Sequence, residues 1–142
     1  MGRIALSLGD FEGRWHLSRV IEDAKGGGQG RFEGEAVFAP DKDGLRYTET
    51  GTLRLKGQPG FSASRVYLWR PDPAGVAVLF EDGRPFHRFD LDAQPEAIHW
   101  CDPDDYAVQY DFHDWPSWSA RWTVKGPRKD YVMTSRYVSA IA

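Results

Sequence analysis

Apolar and polar residues alternate along most of the chain, and the alternation breaks at regular intervals. In YTETGTLRL, Tyr47, Glu49, Gly51, Leu53 and Leu55 fall on one face, and Thr48, Thr50, Thr52 and Arg54 on the other. A period of two is the mark of a strand with two unlike faces. Between such segments stand the turn sequences KGGGQG, PDKDG, KGQPG, RPDPAG, EDG, DAQP, DPDD, DWPS and KGP. This rhythm predicts strands at roughly 13–22, 31–39, 44–55, 61–70, 75–81, 84–91, 96–102, 105–113, 118–126 and 129–138. No segment sustains a helical period, and IALSLGDF allows at most one short helical turn before the first strand. The expected fold is all-β: one domain over residues 1–142, an antiparallel up-and-down barrel of about ten strands. Closure favours a barrel, because an open meander leaves two exposed edges; a sandwich is the alternative.

Turn chemistry sets the register. Asp82-Gly83 reads as a two-residue hairpin turn that pairs Val78 with His87 and Val76 with Phe89. The apolar face carrying Val76, Val78, Phe80, His87, Phe89 and Leu91 then points inward. A Pro103-Asp104 turn pairs Cys101 with Tyr106 and His99 with Val108, and sends Asp105, Gln109, Asp111 and His113 to solvent. Gly126-Pro127 similarly pairs Trp122 with Tyr131, and KGQPG pairs Glu49 with Tyr67 and Gly51 with Arg65. In the first strand, Trp15, Leu17, Arg19 and Ile21 share a face. The interior so defined is partly polar, and buried charges must meet a partner, water or a ligand. A polar-lined barrel cavity is therefore expected.

Composition narrows the function classes. A chain of 142 residues with 41% hydrophobic and 14% aromatic residues can bury a sizeable core. The net charge of -3 argues against a general nucleic-acid binder. From Glu81 to Asp114 there are ten acidic residues against two arginines, and from Arg121 to Ala142 five basic against one acidic, read as oppositely charged outer surfaces. The single cysteine excludes an internal disulfide and fits a reducing compartment. The N-terminal MGRIALSLGDF lacks the apolar run of a signal peptide, and Leu6 breaks the myristoylation pattern. A cytoplasmic protein is expected, monomeric or weakly dimeric, with a small-molecule ligand and no nucleic-acid or membrane partner.

The stretch FEGRWHLSR resembles the first strand of the lipocalin (calycin) superfamily, where a G-x-W motif follows a short helical turn. Gly13 and Trp15 match it, and Arg136 in MTSRYV matches the last-strand arginine that packs across that tryptophan. The resemblance implies that Gly13, Trp15 and Arg136 close one end of the barrel. The chain departs from secreted lipocalins in lacking a signal peptide, a disulfide and the helix after their eighth strand. Fatty-acid-binding proteins insert a helix pair where this chain has only AKGGGQG. Patterns like Y-x-E-x-G (Tyr47–Gly51), H-x-C-x-x-D-x-Y (His99–Tyr106) and G-P-x-K-D-Y (Gly126–Tyr131) resemble a bacterial lipocalin-like family of uncharacterised function. That resemblance implies a fold and no established activity.

The favoured chemistry is binding of an anionic or carbonyl-bearing organic ligand by Arg19, Glu49, Arg65, Tyr67, Trp69, His87, His99, Cys101, Tyr106, Tyr110, Trp122 and Tyr131. No cofactor is expected. Three alternatives compete with that reading. His87, His99 and Cys101 offer three N/S ligands for zinc, if His87 faces His99 across the DAQP hairpin, but match no zinc motif. Cys101 beside a histidine lacks the third group that would orient a catalytic triad. Glu49 with His87 offers acid/base chemistry, against the plainer reading of a Glu49–Arg65 or Glu49–Arg19 ion pair. An interaction module with a filled barrel, using the outer face and DWPSW, is a further rival; DFHDWPSW itself reads as a loop with exposed aromatics, a barrel-mouth lid or a dimer contact.

Overall fold

The computed structural model describes residues 6–25 and 28–140. Ile4 and Ala5 of the expected N-terminal turn, and Gly26 and Gly27 of the first hairpin tip, lie outside the described residues. A single 3-10 turn, Leu8–Phe11, leads into ten strands: β1 (Gly13–Asp23), β2 (Gly28–Asp41), β3 (Gly44–Leu55), β4 (Phe61–Asp72), β5 (Gly75–Phe80), β6 (Pro85–Asp90), β7 (Glu96–Cys101), β8 (Asp104–Asp111), β9 (Trp118–Gly126) and β10 (Lys129–Ser139). All pairings are antiparallel, in the spatial order β6-β5-β4-β3-β2-β1-β10-β9-β8-β7. The chain is thus an up-and-down barrel in which β1 pairs with β10 and every sequence neighbour pairs except β6 with β7. Closure is nearly complete, and that one junction has no ladder.

This corrects the expectation of a laddered β6–β7 hairpin. Residues before β7 turn instead to β8: Tyr110 N–H donates to the Pro95 carbonyl and Phe112 N–H to the Ala93 carbonyl, both at 2.9 Å.

Three registers differ from expectation by two residues. His99 pairs with Tyr106, Trp122 with Met133, and Glu49 with Arg65. The turns close on Asp102-Pro103 and Pro127-Arg128, and the β3–β4 ladder reaches only Leu53–Phe61, leaving a longer loop. A slip of two leaves every side chain on its expected face, so the inward set survives. The β5–β6 hairpin begins as expected, with Val78 opposite His87 and Val76 opposite Phe89. A bulge between Val78 and Leu79 then pairs Leu79 with Pro85.

The end of the barrel bearing the 3-10 turn is closed by aromatic rings. Phe11, fully buried, contacts Phe38, Trp69, Phe112, Trp115 and Trp118 at centroid distances of 4.9–5.8 Å. Trp15 donates its Nε1–H to the Phe11 carbonyl at 3.0 Å and packs edge-on against Trp115 and Trp118. Gly13 opens β1 at φ +129°, a backbone conformation that a side chain would strain. DFHDWPSW is therefore no mouth lid: Phe112 and Trp118 are buried and belong to this plug. Arg136 takes no part in it. It is exposed, between inward Ser135 and Tyr137, because period two puts it on the outer face.

Trp15→Ala should cost about 3–5 kcal/mol, and Arg136→Ala less than about 0.5 kcal/mol. Urea unfolding of the two variants checks the division of roles, and equal losses would contradict it.

Candidate functional site

Beyond the aromatic plug, the barrel contains a cavity of about 730 Å³. All of the sequence-predicted binding residues line it: Arg19, Glu49, Arg65, Tyr67, Trp69, His87, His99, Cys101, Tyr106, Tyr110, Trp122 and Tyr131. They meet there because they occupy the inward positions of β1, β3, β4 and β6 to β10. A second hollow outside the barrel shares Arg65, Tyr67 and Phe80 with it. There β5 stops at Phe80 and leaves Phe61–Val66 of β4 without a β5 partner, so the wall is notched.

The floor of the cavity is a charged knot. Arg19 donates Nη1–H to Glu49 Oε2 at 2.8 Å and Nη2–H to Oε1 at 3.0 Å, and its Nε–H reaches Ser135 Oγ at 2.7 Å. Tyr47 donates its hydroxyl to Glu49 Oε1 at 2.5 Å, and Tyr137 completes the chain to the Tyr47 oxygen at 2.8 Å. The Tyr47 proton is committed to Glu49, so Tyr137 is the donor in that last link. Burial by itself would raise the Glu49 carboxyl; the Arg19 hydrogen bonds and charge, with Tyr47, outweigh it and hold Glu49 below the usual carboxylate range. Burial and the neighbouring Glu49 charge push Tyr137 up to about 12. Both glutamate oxygens are occupied, which leaves no free base at this site. The β2–β3 crossing next to it is tight: Gly34 pairs with Gly51, and a Cβ on Gly34 would collide with the Thr50 carbonyl.

Arg65 lies directly across the ladder from Glu49, yet the ion pair goes to Arg19. The Arg65 Nη1–H reaches only the Tyr67 hydroxyl, at 3.4 Å. Arg19, Glu49 and Arg65 are the only Arg, Lys, Asp or Glu side chains on the cavity wall, among the described residues, and the first two cancel. Arg65 is then a net positive charge facing the cavity, at the notch.

His87 is hydrogen-bonded through Nε2 to the Tyr110 hydroxyl at 2.8 Å, and its buried Nδ1 has no partner among the described residues. If Tyr110 donates, one donor, Nδ1–H, is left over. The opposite tautomer would strand both the tyrosine proton and Nδ1, so the first is favoured. Burial, and secondarily His99, push the His87 imidazole down to about 3, so it is neutral at ordinary pH. His99 faces the rings of Phe86 and Phe80. Cys101 is exposed at the rim, and no group of three or more His, Cys, Asp or Glu among the described residues is arranged to hold a metal. The His87–His99–Cys101 metal reading therefore finds no support in this geometry.

Sequence reasoning missed four participants. Tyr47 carried a visible signal, since it shares the Glu49 face. Ser135 and Tyr137 were recoverable from strand parity with Met133. Phe86 was hidden, because the bulge turns it and His87 together toward the cavity. At the rim, Lys129 of KGPRK is more than a solvated turn residue: it pairs with buried Asp104 at 3.0 Å and donates to the Tyr106 hydroxyl at 3.2 Å.

Two outcomes follow from these environments. Arg19→Met strands a buried carboxylate and should cost about 3–5 kcal/mol, whereas Arg65→Gln should cost less than about 1 kcal/mol; urea melts compare them. His87 titrates near 3 when folded and near 6.5 when unfolded, so below pH 6.5 the unfolded chain binds a proton that the folded chain does not. Stability is then whole above pH 6.5 and falls with falling pH, by about 2 kcal/mol at pH 5. His87→Phe should flatten the pH 7 to pH 5 difference in urea midpoint.

No curated protein matches the chain in sequence. Among solved structures, the fold is similar to that of an S-type phycobiliprotein lyase, CPES, from Guillardia theta, with a TM-score of 0.65 and 10% identity over 96% of this chain and 94% of that one. The barrel is therefore of the lipocalin-like kind. A family model described as a family of unknown function, DUF6314, matches residues 11–139, from the buried Phe11 of the plug to the end of β10. The chain belongs to the DUF6314 family.

Proposed function

We propose that the barrel binds a small organic anion in its cavity, with Arg65 and Tyr67 as the anion seat and aromatic rings as the apolar wall. The observation that carries this reading is the charge balance of the cavity: Arg19 and Glu49 neutralise each other, and Arg65 is left with one long hydrogen bond. A cation at the mouth of a cavity of about 730 Å³ suits a carboxylate, sulfonate or phosphate group with an apolar body. Arg65 is exposed and can reorient toward a ligand without breaking an ion pair. Arg19 cannot, since its Nε, Nη1 and Nη2 are each bonded to Ser135 or Glu49. The likeness to a phycobiliprotein lyase adds support, in that a barrel of this fold serves a protein with an assigned activity.

The acid/base alternative has weaker support, because Glu49 is clamped and His87 is held neutral with Nε2 engaged by Tyr110. An open cavity also speaks against a filled interaction barrel. The exposed large apolar residues among those described are Phe61, Ile98, Trp100 and Val138, and only Ile98 and Trp100 share a strand and face. A reducing, cytoplasmic setting is part of the same proposal, and the free Cys101 supports it. No helix is long and apolar enough to cross a membrane among the described residues.

The test is a fluorescence titration with 8-anilinonaphthalene-1-sulfonate. Saturable one-site binding is expected, weakened about tenfold by Arg65→Gln and unchanged by Arg136→Gln on the outer face. Binding that ignores Arg65 would remove the anion seat.

A further inference from the structure

The bulge between Val78 and Leu79 has a consequence inside the cavity. It turns two consecutive residues, Phe86 and His87, toward the interior. The Phe86 ring then stands between Tyr67 of β4 and Trp122 of β9, strands on different sides of the barrel. It stacks on Trp122 at 5.2 Å with an interplanar angle of 4°, and on Tyr67 at 5.5 Å and 21°. Phe80 lies at 4.6 Å and 26°, and His99 meets the ring edge-on at 5.1 Å. Besides Phe80 on the neighbouring strand, Phe86 stacks on rings of β4 and β9, strands to which β6 is not laddered.

We infer that Phe86 is a built-in plug for a ring-binding slot between Tyr67 and Trp122, and that the slot takes a planar aromatic ring from an anionic ligand whose charge rests on Arg65. This rests on the binding proposed above and gives it a ligand class: flat, one- or two-ring aromatic acids in preference to flexible aliphatic acids.

Three observations carry the inference. The Trp122 and Tyr67 planes lie 4° and 21° from that of Phe86, stacked geometries that suit a flat guest. The strand bearing Phe86 is laddered on one edge only, to β5 and next to a bulge, and its other edge has no ladder to break. The unpartnered Nδ1 belongs to His87, whose ring meets Phe86 edge-on at 4.6 Å. An acceptor atom on a guest ring beside His87 would satisfy that donor. Arg65 and Tyr67 are neighbours on the inward face of β4, so a guest in the slot has its acid group within reach of the Arg65 side.

The experiment is isothermal titration of two acids, naphthalene-2-carboxylate and decanoate, into the wild type, Phe86→Ala and Phe86→Leu. Removing the plug should tighten naphthalene-2-carboxylate roughly tenfold and decanoate less than about threefold, since a flexible chain gains space but no stacking. Phe86→Leu retains apolar bulk and guards against a folding failure; it should tighten the aromatic acid by a smaller factor in the same order. Equal tightening of both acids, or weaker binding of the aromatic acid, overturns the plug and leaves the binding reading intact. Arg65→Gln in the same titrations reports on that reading separately: if it changes neither affinity, the anion seat fails whatever Phe86 does. Absence of binding by all three proteins overturns both.

Discussion

The Arg19–Glu49 pair decides how the barrel is divided. A charge pair inside a β-barrel loses its hydration and is tolerated only with full hydrogen bonding. Here two guanidinium bonds, Ser135 and Tyr47 supply it. On one side of this knot the interior is solid with rings around Phe11 and Trp118; on the other it is a cavity. Tyr137 joins the two halves, with its face on Trp118 at 3.8 Å and 5° and its hydroxyl in the knot. The floor of the site is thus fixed by the same contacts that anchor the core, and a ligand would meet a rigid base with a neutralised charge.

The mobile possibilities lie elsewhere, on the short wall. β5, β6 and β7 have six residues each, while β1 to β4 have eleven to fourteen. Short strands leave the notch beside β4 and the unladdered β6–β7 junction. Local opening follows low hydrogen-bond density, so this wall is where the barrel yields first. Arg65, Tyr67, Phe86, His87 and His99 all belong to it or face it. The residues with spare chemical capacity, a cation with one long bond and an imidazole with an unpartnered nitrogen, sit where the backbone is least constrained.

Much of this was legible in the sequence, and the reason is parity. Tyr47, Glu49, Arg65, His87 and His99 could be assigned to the interior from alternation alone, and two-residue errors of register did not disturb them. Partner choice was less legible. Glu49 has Arg65 opposite it and Arg19 two strands away, and only three-dimensional curvature brings Arg19 closer. The bulge at Val78/Leu79 left no signature that alternation could expose, so Phe86 went unassigned. Arg136 failed for the opposite reason: a short motif outweighed its own strand pattern, in which buried Ser135 and Tyr137 already place it outside.

The aspartates of HWCDPDDYAVQYDFHDW illustrate why composition misleads about chemistry. Asp102 and Asp105 are exposed, Asp111 binds the exposed His113, and Asp104 is buried against Lys129. None lines the cavity, whose wall carries a single carboxylate. A carboxylate beside His99 would have stabilised an imidazolium and made metal or acid/base chemistry plausible there. Its absence from the cavity wall, with the Glu49 charge already cancelled, leaves a site whose net field is that of Arg65. In the binding proposed above, that field would draw the acid group of a ligand to Arg65, and the rings of the wall would stack on its body.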